Sequence, residues 1–339
     1  MSLLNPKLYK KDVEQEPIRA GFGRGLVAAG RNNNQVVALC ADLTESTHME
    51  GFAKAFPERF IEIGVAEQNL VTVAAGMALA GKIPFVSSYA AFSPGRNWEQ
   101  IRTTICLNET NVKIAGSHAG VSVGPDGATH QMLEDIALMR VLPNMRVIVP
   151  CDSIEAEKAT AALAASEGAA YIRLAREKTP VVTTRDTPFT LGKAQVLRAG
   201  ADLTMIACGP MVYQVLVAAE KLSADGIEAE VINCATVKPL DDATILASVR
   251  KTRAVMTAEE AQAAGGLGGA IAELLGEHEP VPLARVGMQD HFGESGDPNE
   301  LLEHFKLTAP HIAVRARKLL KARQSPPRRS RKGVSKSRR

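Results

Sequence analysis

Aromatic side chains are scarce: one Trp, four Tyr and nine Phe make up 4% of the 339 residues. With 45% hydrophobic residues in all, the core has to be built mainly from Ala, Val, Leu and Ile. No apolar run approaches the ~20 residues that cross a bilayer as a helix, so a helical membrane protein is excluded. The opening MSLLNPKLYKKDVEQEP lacks an apolar segment followed by a small-residue cleavage site, and the chain reads as cytoplasmic. No C-x-x-C pair occurs among the five cysteines, at 40, 106, 151, 208 and 234. Their odd number, and the apolar stretches VVALCAD and LTMIACG around some of them, predict reduced, buried thiols and no disulfide or metal role. Acids are missing from residue 321 onward, where nine Lys or Arg stand; set against the net charge of +3, these nine leave the rest of the chain at −6. A mildly acidic body argues against nucleic-acid binding. The tail 321–339 ends in SPPRRSRKGVSKSRR, a composition that cannot bury a core and predicts a disordered, solvated segment.

The length leaves room for two domains. Short apolar runs alternate with longer amphipathic ones, which predicts an α/β fold built from parallel crossovers. Strands are expected at 36–41, 60–63, 84–88, 112–116, 145–149 and 170–174, and helices at 19–29, 67–80, 98–108, 132–141 and 153–166. Asp152 or Ser153 is placed to cap the last helix. The Pro- and Thr-rich KTPVVTTRDTPF at 178–189 has no periodicity and reads as a linker. A smaller α/β set follows, with strands at 203–207, 229–233, 254–257 and 281–285 and helices at 212–224, 243–249 and 268–275. The expected domains are therefore 12–178 and 190–320.

The most informative segment is IEIGVAEQNLVTVAAGMA at 61–78. A strand runs into Gly64, and Glu67 opens an apolar helix. An acid in a first turn is ordinarily a solvated residue favoured by the helix N-terminus. Buried carboxyls are different, because desolvation lets them keep or share a proton at neutral pH. Further pieces stand at fixed places: ADLTES at 41–46, YAAF at 89–92, DGATHQ at 126–131, VKPL at 237–240, EEAQAAGGLG at 259–268 and FGESG at 292–296.

In order and spacing this set resembles the transketolase superfamily of thiamin-diphosphate enzymes, over roughly residues 15–320. The resemblance implies a pyrimidine-binding domain followed by a transketolase C-terminal domain. It implies that Glu67 hydrogen-bonds the aminopyrimidine N1′ and promotes its imino tautomer, and that Tyr89 and Phe92 pack on the pyrimidine ring. Asp42 matches an acid near the cofactor. Relatives often carry a third aromatic after Phe92, where this chain has Ser93-Pro94-Gly95-Arg96, and a His where it has Gln262. Arg19, Ser46, His118 and Arg176 match the groups that hold a substrate phosphate, for which guanidinium forks and neutral donors are suited. Asp126 and His130 match contacts to the hydroxyl and carbonyl end of the donor sugar, with His130 a proton-transfer candidate. Arg173 reads as a bland neighbour of Arg176.

The family's G-D-G motif, which binds Mg²⁺ and the diphosphate, occurs nowhere in the chain. No metal site is expected here. The resemblance therefore implies the C-terminal subunit of a two-chain transketolase, transferring a two-carbon ketol unit between sugar phosphates. Its partner would be an N-terminal subunit carrying Mg²⁺ and the diphosphate site, and by analogy the pair would form a heterotetramer in which this chain homodimerises. Two alternatives are the β subunit of a 2-oxo acid dehydrogenase E1 and a non-catalytic module of the same fold. The Asp-preceded T-H-Q and the phosphate-type positions argue against the first. Intact Glu67, Asp126 and His130 argue against the second. Deoxyxylulose phosphate synthase shares the T-H-Q but carries its own diphosphate domain.

Overall fold

The computed structural model describes residues 3–324. In chain order the strands are β1 (Gln15–Pro17), β2 (Val36–Cys40), β3 (Phe60–Glu62), β4 (Ile83–Tyr89), β5 (Lys113–Ser117), β6 (Arg146–Ile148), β7 (Ala170–Arg173) and β8 (Lys178–Pro180). After the linker come β9 (Gln195–Arg198), β10 (Leu203–Ala207), β11 (Ala229–Asn233), β12 (Thr236–Lys238), β13 (Val255–Gln262) and β14 (Leu283–Met288). A seven-stranded sheet has the order β12-β6-β7-β5-β4-β2-β3, and a five-stranded sheet the order β14-β13-β10-β11-β9. Strands β1 and β8 pair as a short antiparallel ribbon.

Both sheets are parallel except at one edge. Burial explains why their central strands read as unbroken apolar runs. Every residue of β2 (VVALC) and β10 (LTMIA) is buried, as strands covered by helices on both faces require. One face of the larger sheet packs Phe22, Phe52 and Phe85 beneath the helices Ile18–Asn32 and Ser153–Ala164. These helices touch because of glycine: a Cβ at Gly21 would lie 1.8 Å from Ser153 O. Asp152 caps the second helix by accepting from Glu155 N at 2.8 Å, and it also accepts from Val182 N and Thr183 N, tying the linker down.

The predicted core strands and helices are present, with shifted ends. Four strands escaped the sequence reading. Strand β1 precedes the first expected helix, the first three residues of the supposed linker form β8, β9 is the antiparallel edge of the second sheet, and β12 runs into the VKPL segment. That last strand belongs to the C-terminal half of the chain but pairs with β6 of the N-terminal sheet. Lys238 anchors it, its Nζ donating to Arg140 O at 2.9 Å and to Leu142 O. The helix expected at 98–108 is a single α-turn, Trp98–Gln100, continued by the π-helix Ile101–Leu107. The tail also starts later than expected: residues 321–324 complete the helix Ala309–Gln324, where Arg323 Nη1 donates to Thr252 O at 2.6 Å. The remainder of the basic tail lies outside the described residues. Among the described residues no helix is long and apolar enough to cross a membrane. All five cysteines are buried and free.

Candidate active site

Parallel strands deliver the candidate residues to one edge. Asp42 follows β2, Glu67 follows β3, Tyr89 ends β4, His118 follows β5 and Arg176 follows β7. Ligands of open α/β sheets bind outside these carboxyl ends.

Glu67 begins the helix Glu67–Leu79 and is only 4% exposed. Its Oε1 accepts from Ser88 Oγ at 3.4 Å and its Oε2 from Arg96 Nη1 at 3.3 Å. Asn97 Nδ2 donates to the Glu67 carbonyl at 2.8 Å, which fixes the start of the helix. Glu67 is one of the residues around an open depression of about 780 Å³, with Val65, Gln68, Asn69, Thr72 and Arg96.

Next to it stands an aromatic cluster. Tyr89 and Phe92 lie 6.1 Å apart with nearly parallel rings, at 20°. His118 stacks on Tyr89 at 3.8 Å, and His130 meets Phe92 edge-on at 5.3 Å. An acceptor carboxylate beside flat apolar faces suits a planar heteroaromatic ring that carries an N–H donor.

The anion-binding candidates gather beyond Tyr89. Arg19 Nε donates to Arg176 O at 3.1 Å and Nη1 to Ser46 O, so these three are drawn together. Arg176 Nη1 reaches Val123 O at 2.6 Å. Burial pushes the His118 imidazole down to about 3, with Arg19 and Arg176 adding to the effect. His118 is therefore neutral at physiological pH, its Nδ1 bonded to Ser117 Oγ at 2.9 Å. The positive charge of the cluster is that of its guanidiniums.

Two candidates stand further out. Asp126 is exposed at the end of the 3-10 turn Val121–Asp126. Asp42 is exposed too, in the left-handed region at φ 57°, with its N–H donated to Glu62 Oε1 at 2.7 Å. Arg173 proves structural: it is buried, with Nε 2.8 Å from Asp135 Oδ2.

The sequence reading missed His48, Ser88 and Arg96. Burial lowers the His48 pKa, and Arg19 is the next cause. The signal for His48 was its place two residues beyond Ser46. For Arg96 it was its place in the segment Ser93-Pro94-Gly95-Arg96, where the aromatic often found in relatives is missing. The second domain was missed as well. Gln131 Nε2 donates to Glu294 O at 2.8 Å, and a Cβ on Gly127 would lie 2.3 Å from Ser295 Oγ. FGESG thus packs on DGATHQ and shapes the loop that carries His130. Gln262 holds this segment in turn, donating to His291 O at 2.7 Å.

Residues 15–181 match the family model of the transketolase pyrimidine-binding domain, and residues 192–312 that of the transketolase C-terminal domain. A 6-deoxy-6-sulfo-D-fructose transketolase subunit from Clostridium sp. (strain MSTE9) is 43% identical over 308 residues, 91% of this chain and 95% of that protein. Transketolase-like protein 2 of Mus musculus is 40% identical over 298 residues, 87% of this chain but 47% of the mouse protein. A solved structure of a split gene transketolase, as an inactive beta4 tetramer, is 47% identical with a TM-score of 0.85, covering 91% of this chain and 99% of that one.

Proposed function

The chain belongs to the transketolase family, and from that premise we propose that it is the C-terminal subunit of a two-chain transketolase. It transfers a two-carbon ketol unit from a ketose phosphate to an aldose phosphate together with an N-terminal subunit. The observation that carries this reading is the buried Glu67 carboxylate, joined through Arg96 to the ring of Phe92 in the Tyr89–Phe92 pair. That donor and acceptor set fits the aminopyrimidine end of thiamin diphosphate. The carboxylate accepts the ring N–H, and Tyr89 and Phe92 supply flat packing faces. We assign the Mg²⁺ and diphosphate end to the partner, because the family's G-D-G motif does not occur in this sequence.

Thiamin diphosphate, when bound, supplies the carbon nucleophile and electron sink of ketol transfer. This chain's own residues do the rest. Glu67 shares a proton with the pyrimidine N1′ across a hydrogen bond. Arg19 and Arg176 hold the substrate phosphate, helped by Ser46, His48 and the neutral His118. His130 stands between Phe92 and the Asp126 loop, where it serves as the group that moves a proton at the donor's hydroxyl and carbonyl end. Both sugar phosphates and sulfonated sugars present a terminal anion to the same guanidiniums, and the Clostridium relative is named for a sulfonated one. We place the enzyme in the cytoplasm, which five buried, unpaired thiols support.

The test is reconstitution with a diphosphate-domain subunit. Hydrogen–deuterium exchange at the thiazolium C2 is followed for wild type and Glu67→Ala. The variant folds, and its exchange slows by ~10²–10⁴-fold, the range of general acid–base contributions. Exchange at the wild-type rate overturns the role of Glu67, and full ketol transfer by this chain alone overturns the two-chain reading.

A further inference from the structure

One planar cation is held between the two groups assigned to the pyrimidine. Arg96 Nη1 lies 3.3 Å from Glu67 Oε2, and the guanidinium carbon stands 4.2 Å from the centroid of the Phe92 ring. Glu67 Oε1, by contrast, has only Ser88 Oγ at 3.4 Å, long for an O–H···O bond. Both contacts are long, and the two oxygens differ in their donors: a guanidinium held over Phe92 faces Oε2, and a neutral hydroxyl faces Oε1. Among the described residues that line the depression, Glu67 and Arg96 alone carry charge, the others being apolar, hydroxyl or amide side chains. On the aromatic side the titratable groups are Tyr89, His118 and His130, and His118 is neutral.

We propose that Arg96 is a positioning residue for Glu67: it pins Oε2 so that Oε1 is the oxygen presented to a ring N–H donor, and its charge biases a shared proton toward that ring. The assignment rests on the reading of Glu67 as the pyrimidine-side acid. Arg96 is 52% exposed, and an exposed ion pair by itself is weakly held. Stacking on Phe92 restricts the guanidinium to one side of the carboxylate, and cation–π contact of this geometry is favourable. A residue of the Ser93–Arg96 segment thus serves here to fix Glu67 by charge.

Carboxyl ¹³C NMR of the glutamate-labelled chain reads this coupling without cofactor or partner, with Glu67 identified by the signal lost in Glu67→Gln. At a single pH near neutrality, Arg96→Gln moves that signal away from its wild-type chemical shift, and Arg96→Lys returns it most of the way. A signal that does not move overturns the proposal. In the reconstituted enzyme, C2 exchange slows by up to ~5-fold in Arg96→Gln, the scale of a half-exposed ion pair, and recovers in Arg96→Lys. If wild type exchanges and Arg96→Gln exchanges equally fast, the positioning role is wrong while the reading of the site stands. If wild type with its partner shows no exchange at all, that reading has failed, and the role of Arg96 with it.

Discussion

The carboxylate of Glu260, on a strand of the second sheet, accepts the backbone N–H of Ser122, in a loop of the first, at 2.6 Å. Burial raises the pKa of Glu260, opposed by the charge of Arg173 and by the bond from Ser122. The Ser122 loop also offers Val123 O to Arg176 and ends at Asp126. A residue of the C-terminal domain is therefore bonded to the loop whose Val123 carbonyl accepts from Arg176.

Glu260→Ala leaves a buried N–H without its acceptor, which costs about 1–3 kcal/mol. Urea unfolding of the variant should show that loss, and steady-state kinetics should show KM rising more than kcat falls, since the loop bonds to Arg176, the proposed phosphate ligand. Glu260→Gln keeps an acceptor and should be milder in both. Equal kinetics in all three proteins would remove the second domain from the account of the site.

Lys113 predicts a pH dependence of stability. It is fully buried, its Nζ donating to Ser166 O at 2.8 Å and to Gly168 O, and burial pushes its pKa down to about 7. The folded value lies below the unfolded one near 10.5, so between these pH values the unfolded chain holds the extra proton. Stability from this group thus grows as pH rises from about 7 to about 10 and is lost as pH falls back. Wild-type stability measured against Lys113→Met should climb through that window by up to about 1.4 kcal/mol per pH unit. Parallel curves for the two proteins would show that Lys113 titrates normally.

The domain boundary is open to a fragment test. A fragment of residues 12–189 contains every strand of the first sheet except β12, and leaves β6 as a bare edge, with the Arg140 and Leu142 carbonyls deprived of Lys238. Unpaired edges template association. This fragment should aggregate or unfold at lower denaturant than the N-terminal sheet does in the full chain. A fragment that is monomeric and equally stable would make β12 dispensable.

What was legible in the sequence follows from local signals. Strands such as β2 and β10 are buried on both faces and show as unbroken apolar runs, so they were found. Strands β8 and β12 span three residues each, too few for any period, and their partners lie far away in sequence. Glu67 and Tyr89 were named because one opens a helix and the other ends a strand inside a recognisable motif, whereas His118 and Arg176, which follow β5 and β7, were named from the family resemblance alone. Arg96 belongs to no periodic element, and its part becomes visible only when Phe92 and Glu67 are seen on two sides of it. Glu260 was quoted within EEAQAAGGLG, but its contact with Ser122 depends on the packing of one domain on the other.

The anion site makes the last prediction, because its charge is fixed. Arg19 and Arg176 are permanently cationic, whereas His118 stays neutral above about pH 3 through burial. No imidazolium at His118 contributes to phosphate binding between pH 5 and 9. A phosphate monoester gains its second charge near pH ~6, so KM for a sugar phosphate should fall as pH rises through that value, following the substrate. His118→Gln keeps a neutral donor and should retain this profile with a raised KM. Arg176→Ala should raise KM for phosphorylated substrates by roughly 10–150-fold, the equivalent of ~1.5–3 kcal/mol for a charge-assisted hydrogen bond. For unphosphorylated analogues the change should be small. Arg176 also donates to Val123 O, so a purely structural role is a real competitor. The comparison of the two substrate types separates them: loss of the loop harms both equally, whereas loss of the guanidinium as a phosphate ligand harms only the phosphorylated one.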